Sequence, residues 1–183
     1  LAPRFGKTSF ILGYWKLNAN VPVLVVPSYI LSSHHSFHKA VRKWDVGDDV
    51  LCIDMTEERA ADKIKNALDS NQKVLLTISM FSDEERVEKY DDVFAAIDDV
   101  ETVVYVDEAD DGGHTKRSQN VVRRLMISDK FRTFLHGTGT NIERASHHGH
   151  PITRLIRVTY TDLLEAQEGR GFLFESEADG RRQ

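Results

Sequence analysis

The amino-acid sequence predicts an α/β fold in which helices cover both faces of a mainly parallel sheet, giving three α/β/α layers. Short runs rich in β-branched residues alternate with longer amphipathic stretches along most of the chain. Several of these runs are apolar throughout, as strands covered on both faces must be. The connections between them are short, which favours βαβ crossovers and therefore parallel neighbours.

Six segments carry the strand pattern, and their Val, Ile and Leu content favours the pleated conformation. They are Val21–Val26, Val50–Ile53, Val74–Ile78, Thr102–Val106, Arg132–His136 and Leu155–Thr159.

Five segments carry the helical pattern: Lys7–Leu17, Ser33–Lys43, Glu57–Leu68, Asp91–Ile97 and Gln119–Ile127. The third has its small apolar residues on one stripe and charged residues elsewhere. Thr56 precedes Glu57 and Glu58, so we expect Thr56 to cap this helix and the two acidic residues to occupy its first turn.

Composition indicates one ordinary globular domain. The chain has 183 residues, of which 40% are hydrophobic and 29% charged. Its longest apolar runs are the length of strands, too short to span a bilayer. The single cysteine, Cys52, lies in an apolar run and is expected to be a buried thiol in a reducing compartment.

A phosphate-binding turn is the first chemical signal. Gly6, Lys7 and Thr8 stand directly before a helical stretch. The helix N-terminus attracts phosphate oxygens, the lysine can reach the β- and γ-phosphates, and the threonine hydroxyl can bind Mg²⁺. The complete motif begins with a glycine at the position of Leu1, so the pattern is relaxed. The alternative interpretation of the same residues is an ordinary helix start that is basic and capped.

An acidic motif is the second signal. The apolar strand Thr102–Val106 runs into Asp107 and Glu108. In open parallel sheets ligands bind at the carboxyl ends of strands. There Asp107 would hold Mg²⁺ and Glu108 would polarise the attacking water. A solvated acidic turn is the alternative, but the occurrence of this acidic motif together with Gly-Lys-Thr favours a nucleotide site.

Together these motifs resemble the first RecA-like domain of a superfamily 2 helicase of the DEAD/DEAH type or of a restriction-type translocase, in a form seen in some phage proteins. Leu1–Thr8 resembles motif I and Asp107–Asp110 resembles motif II. His136–Thr140 lies where motif III would be. Pro27–Tyr29 and Thr77–Ser79 hold the places of motifs Ia and Ib, mainly by order along the chain.

The resemblance implies a P-loop NTPase domain that binds and hydrolyses MgATP to drive a helicase or translocase. Lys7, Asp107 and Glu108 would be catalytic, Thr8 and Asp107 would hold the magnesium ion, and Thr138 and Thr140 would couple nucleotide state to movement. The residues expected to contact the nucleotide are Arg4, Phe5, Gly6, Lys7, Thr8 and Ser9.

The same resemblance sets expectations for partners and domain limits. Residues 1–167 would form the ATP-binding domain, truncated at motif I, and residues 168–183 a fraying tail or linker to a second RecA-like domain. That second domain would carry the arginine finger, so the fragment alone would hydrolyse ATP weakly. The location would be cytoplasmic, in a bacterial or phage-infected cell, with no membrane partner.

The expected nucleic-acid partner is DNA rather than RNA, because Gly-Thr-Gly-Thr at residues 137–140 replaces the Ser-Ala-Thr typical of DEAD-box RNA helicases. The net charge of −5 argues against binding by bulk electrostatics but not against contact through a few local groups. We expect His34, His35 and His38 to lie on a solvated helix face, with a position near a nucleic-acid backbone as the alternative. Trp15 is expected in the core or in a contact with a partner domain.

Two alternatives remain open at this point. One is another P-loop motor, such as the ATPase of a viral DNA-packaging terminase, whose loop also tolerates the missing first glycine. The other is a non-hydrolysing α/β binding module that keeps the fold without turnover.

Overall fold

The structure is a computed structural model, and it describes residues 7–28, 31–43, 49–79, 90–107, 120–121, 124–125, 132–137, 155–157, 175–178 and 181–182. In chain order the elements are α1 (Lys7–Leu17), β1 (Val23–Ser28), α2 (Leu31–Lys43), β2 (Val50–Asp54), α3 (Ala60–Asp69), β3 (Lys73–Ser79), α4 (Asp91–Ala95), β4 (Thr102–Val106), β5 (Arg132–His136), β6 (Leu155–Arg157), β7 (Glu175–Ala178) and β8 (Arg181–Arg182).

Five strands form one sheet in the order β2-β3-β1-β4-β5, and every neighbouring pair is parallel. In register, Val23 of β1 lies between Val74 of β3 and Thr102 of β4. Because all five strands point the same way, their carboxyl ends share one edge of the sheet. The predicted α/β class with a mainly parallel sheet is confirmed.

Both faces of this sheet are covered, which confirms the three-layer arrangement. Side chains alternate along each strand, so Leu75 and Leu76 of β3 are both fully buried but in different hydrophobic clusters. Leu75 packs with residues of α1 and α2, and Leu76 with residues of α3, α4 and the helical residues Val121 and Leu125.

Helix α1 is anchored under the sheet by Trp15, whose predicted place in the core is confirmed because its side chain is fully buried. The indole Nε1 donates to the Val21 carbonyl at 2.9 Å. The Lys73 ammonium lies 5.0 Å from the centre of the indole ring and donates to the Trp15 carbonyl at 3.1 Å. These contacts hold the C-terminal part of α1 against the start of β3 and the segment before β1.

The start of α3 differs from the prediction. The helix begins at Ala60, its capping residue Arg59 has a left-handed backbone with φ 57°, and no side chain caps it. The Thr56 backbone N–H and hydroxyl bind the Asp54 carboxylate instead, at 3.0 and 2.7 Å. The expectation that Thr56 caps this helix is therefore wrong, because a carboxylate at the end of β2 is a stronger partner than the helix N-terminus.

Smaller differences concern element ends. Strand β1 begins and ends two residues later than expected, helix α2 begins two residues earlier, and α4 ends at Ala95. Cys52 is half-buried rather than buried, and partial burial raises the pKa of its thiol. None of the helices in the described part of the chain has the length and apolar content needed to cross a lipid bilayer.

The last predicted strand does not join the parallel sheet. Leu155–Arg157 pairs antiparallel with Glu175–Ala178, which pairs antiparallel with Arg181–Arg182 in a separate three-stranded sheet. The segment expected to fray thus contains two short strands. The division of the chain at residue 167 stays a prediction.

Burial on both faces predicts that Leu75→Ala and Leu76→Ala each lower the free energy of unfolding by about 2–5 kcal/mol, because each leaves a cavity in a closed core. Leu17→Ala is the matched control, since Leu17 is 87% exposed, and it should change stability by no more than about 0.5 kcal/mol. Urea unfolding measures all three. A small loss for either core leucine would mean that one face of the sheet is open to water.

Candidate functional site

The structure brings together two of the residues singled out from the sequence, Lys7 and Asp107. Lys7 is the first residue of α1 and Asp107 directly follows β4. The Lys7 Nζ lies 3.7 Å from the Asp107 Oδ1, and the two side chains are only 9% and 14% exposed. This distance exceeds the roughly 2.7–2.9 Å of a direct charge-assisted hydrogen bond. The pair is therefore an ion pair without a direct hydrogen bond, set in a largely dry part of the sheet edge.

The Asp107 carboxylate has two further partners, which the sequence did not reveal. The Ser33 hydroxyl, from the first turn of α2, donates to the Asp107 Oδ2 at 2.8 Å. The Tyr105 hydroxyl donates to the Oδ1 at a longer 3.4 Å. Tyr105 could have been found from the sequence, because residues two apart on a strand lie on the same face. No local signal identifies Ser33, which is 74 residues away in the chain.

Gly137, in the segment matched to motif III, lies directly against this site. Its backbone N–H donates to the Val106 carbonyl at 2.9 Å. A Cβ at this position would collide with the Tyr105 hydroxyl and would lie 2.7 Å from the ring carbon that carries it. The absence of a side chain at Gly137 therefore leaves the space that the Tyr105 ring occupies next to the site.

The other predicted site residues divide into two groups. Thr8 and Ser9 follow Lys7 in the first turn of α1 and are half-buried. Those that lie outside the described residues are Arg4, Phe5, Gly6, Glu108, Thr138 and Thr140. Of the predicted site residues, the structure therefore describes Lys7, Thr8, Ser9 and Asp107, and it brings Lys7 and Asp107 close together.

A second polar cluster occupies the same sheet edge, at the ends of β2 and β3. The Asp54 Oδ2 accepts a hydrogen bond from the Thr77 hydroxyl at 2.8 Å and lies 3.1 Å from the His34 Nδ1. A carboxylate only accepts hydrogen bonds, so the Nδ1 carries the proton. His38 Nε2 lies 3.4 Å from the Thr77 hydroxyl.

The expectation of a solvated histidine face is wrong for His34, which is 4% exposed, while His35 is exposed and His38 half-buried. The reason is the Asp54 carboxylate, which binds the His34 Nδ1 at 3.1 Å and holds the imidazole in a buried position. The His34 Nε2 has no hydrogen-bond partner among the described residues.

Titration of this cluster is shifted by its contacts. Partial burial raises the pKa of Asp54, but hydrogen bonds from His34, Thr56 and Thr77 outweigh it and hold the pKa well below its usual range. Burial lowers the pKa of His38, against the opposing attraction of Asp54. Asp54 is therefore an anion at any pH near neutrality.

The chemistry of Lys7, Thr8 and Asp107 suits a magnesium-bound phosphate. Mg²⁺ prefers oxygen ligands and keeps several waters, and the carboxylate of Asp107 and the hydroxyl of Thr8 are ligands of that kind. The Lys7 ammonium and the N-terminus of α1 supply positive charge for phosphate oxygens. Within the described residues, no group of three or more His, Cys, Asp or Glu side chains could hold a metal ion by itself.

Comparison with solved structures finds a likeness at the level of the fold. The chain superimposes on the helicase domain of Hef from Pyrococcus furiosus with a TM-score of 0.53 and 14% sequence identity, over 80% of this chain and 31% of that one. This chain thus spans about a third of the length of that structure. No protein-family model matches the chain, and no curated protein sequence does. The likeness is one of fold: the five-stranded parallel sheet and its helices resemble those of that helicase domain.

The lowered pKa of Asp54 leads to a pH-dependent prediction. At pH 7, Asp54→Asn should lower the free energy of unfolding by about 2–3 kcal/mol, because hydrogen bonds to an ionised partner are lost. A depressed folded-state pKa contributes stability that is fully present above the unfolded value, about 3.9. That contribution is lost as the pH falls through the folded value. The part of the gap that comes from the ionisation of Asp54 should therefore be fully present down to about pH 4 and should shrink below it.

Urea unfolding between pH 3 and pH 7 checks this. Asp62→Asn is the control, since its ion pair with Arg59 is exposed and such pairs contribute about 0–1 kcal/mol. A gap for Asp54→Asn that stays undiminished at pH 3 would contradict the assignment.

Proposed function

We propose that this chain is the ATP-binding domain of an ATP-driven nucleic-acid helicase or translocase. One observation carries the proposal: Lys7 and Asp107, far apart in sequence, face each other across 3.7 Å at the carboxyl edge of a parallel sheet. Ligands of open α/β sheets bind at this edge. The likeness of the fold to a helicase domain supports the same conclusion.

The energetics of this pair support a ligand-binding role. Removing an ammonium and a carboxylate from water costs several kcal/mol for each ion, about as much as their attraction returns. Stability alone therefore gives little reason to place such a pair beside the core. A bound phosphate with Mg²⁺ gives both groups a partner of opposite charge, and the low exposure of Lys7 and Asp107 strengthens those attractions.

The residues of the chain would divide the work of hydrolysis as follows. Lys7 and the N-terminus of α1 would neutralise phosphate charge, with Arg4, Phe5, Gly6 and Ser9 lining the turn around the nucleotide. Thr8 and Asp107 would hold Mg²⁺, which would supply charge stabilisation at the transferred phosphoryl group. Glu108 would orient the attacking water and accept its proton.

Movement along nucleic acid would need groups beyond this half-site. Thr138 and Thr140, next to Gly137, would report the state of the nucleotide. A second RecA-like domain would supply the arginine finger, whose absence costs roughly 10³-fold or more in rate. DNA is the proposed track because Gly-Thr-Gly-Thr at residues 137–140 departs from Ser-Ala-Thr.

Nucleotide binding tests the proposal directly. The chain should bind a fluorescent ATP analogue in the presence of Mg²⁺, and Lys7→Met should weaken binding on the order of tenfold or more, the effect of losing a charged hydrogen-bond donor. Lys16→Met is the matched control, because Lys16 is exposed near the end of the same helix. Melting temperatures without nucleotide show whether either variant is unfolded.

Two results would overturn the proposal. One is the absence of Mg²⁺-dependent binding by the unaltered chain. The other is equal binding by the folded Lys7→Met protein, which would mean that the nucleotide is bound without Lys7 and would favour a non-hydrolysing binding module.

Hydrolysis tests the role of Glu108 in a protein that also carries the second RecA-like domain. Glu108→Gln should slow ATP turnover by roughly 10²- to 10⁴-fold, because the amide cannot accept the proton of the attacking water. Nucleotide affinity should stay within about threefold, because the amide keeps the size and polarity of the side chain. Steady-state phosphate release and equilibrium binding measure the two effects, and undiminished turnover would remove Glu108 from this role.

A further inference from the structure

We propose that Ser33 is a positioning residue that orients the Asp107 carboxylate for the magnesium ion of a bound nucleotide. This inference rests on the proposed function and extends the site to α2, which carries none of the residues assigned to nucleotide chemistry. The observation behind it is the 2.8 Å hydrogen bond from the Ser33 hydroxyl to the Asp107 Oδ2, the shortest contact of that carboxylate among those described above.

The two oxygens of Asp107 have different partners. Lys7 and Tyr105 lie on the side of Oδ1, at 3.7 and 3.4 Å, and Ser33 alone of these three lies on Oδ2. A carboxylate offers about four lone-pair sites, so one short hydrogen bond leaves others for a metal or its waters. That bond also prevents the group from rotating about its last torsion, which is broad and weakly restrained by itself.

The helix that carries Ser33, α2, is held in place by contacts with two strands. One turn further along, Phe37 is fully buried, and its ring lies 5.8 Å from the Tyr105 ring, which ties the helix to β4. The neighbouring residue His34 binds Asp54 at 3.1 Å, which ties the helix to β2. The Ser33 hydroxyl thus comes from a fixed first turn, so it meets Asp107 in a set geometry before any ligand arrives. Such outer partners tune the affinity of a metal site through its ligands.

A simpler role for the same hydrogen bond would be to fasten α2 to the sheet. The two roles differ in one measurable respect. A positioning residue affects nucleotide binding only when magnesium is present, whereas a residue that only fastens the helix affects nucleotide binding equally with and without the metal.

The experiment compares the affinity of the chain for a fluorescent ATP analogue across a Mg²⁺ titration and in EDTA. Ser33→Ala should weaken binding in saturating Mg²⁺ on the order of tenfold, the lower range for loss of a partner of a metal ligand. Binding in EDTA should not change, and the melting temperature without nucleotide shows that the variant is folded, although somewhat less stable because a hydrogen bond to an ionised carboxylate is lost. Ser33→Thr keeps the hydroxyl and should restore binding, and Ser36→Ala, at an exposed position of α2, should behave as the unaltered chain.

A double-mutant cycle shows whether Ser33 acts through Asp107. Asp107→Asn should abolish most of the Mg²⁺ dependence, and adding Ser33→Ala to it should cause no further loss, because residues that act as one unit are not additive. Should Ser33→Ala not fold, Ser33→Cys keeps the size of the side chain with a much weaker donor and repeats the comparison.

Each outcome has a distinct meaning. Equal weakening in Mg²⁺ and in EDTA, or full additivity with Asp107→Asn, would overturn the positioning role. Mg²⁺-dependent binding that is lost in Asp107→Asn but unchanged in Ser33→Ala would also overturn it while leaving the proposed function intact. If the unaltered chain shows no Mg²⁺-dependent binding, the proposed function fails and this inference fails with it.

Discussion

The alternation of side chains along β4 is the constraint on which the candidate site depends. Val103 and Tyr105 point towards α1 and α2, and Asp107 continues that series one step beyond the strand. Asp107 therefore meets Lys7 and Ser33, the residues that begin or nearly begin those two helices. A register slip of one residue would turn this carboxylate to the opposite face. Burial on both sides of the sheet makes such a slip costly, so the core that stabilises the fold also aims the carboxylate.

The two carboxylates at the carboxyl edge of the sheet, Asp54 and Asp107, are held by different sets of contacts. Asp54 accepts short hydrogen bonds from His34, Thr56 and Thr77, which lower its pKa. Its role is therefore structural. Asp107 has one short hydrogen bond, a longer one and an ion pair without direct contact. The second arrangement leaves a negative charge oriented beside a lysine at a helix start, as a magnesium-phosphate site requires. The first turn of α2 touches both, since Ser33 reaches Asp107 and His34 reaches Asp54.

The likeness to the Hef helicase domain extends over 80% of this chain at only 14% identity. Such divergence is physically reasonable, because a parallel sheet asks for buried apolar strands and amphipathic helices rather than for particular residues. A binding or catalytic site tolerates fewer substitutions than the fold does, so function has to be argued from a few positions. Here those positions are Lys7 and Asp107, beside which Tyr105 packs so closely against Gly137 that a Cβ at Gly137 would collide with the Tyr105 hydroxyl.

The sequence by itself determined the class of fold, the limits of α1, β4 and β5, and the candidate roles of Lys7 and Asp107, because periodicity and motif spacing are local properties that any window of the chain displays. It misled at Thr56 and His34, both drawn away from their local preferences by Asp54. It also placed Leu155–Thr159 among the parallel strands, although Leu155–Arg157 pairs in a separate antiparallel sheet. Only the tertiary structure decided that Ser33 and Tyr105 hold Asp107, because strand order and helix packing set which distant residues meet, and neither is written in a local pattern.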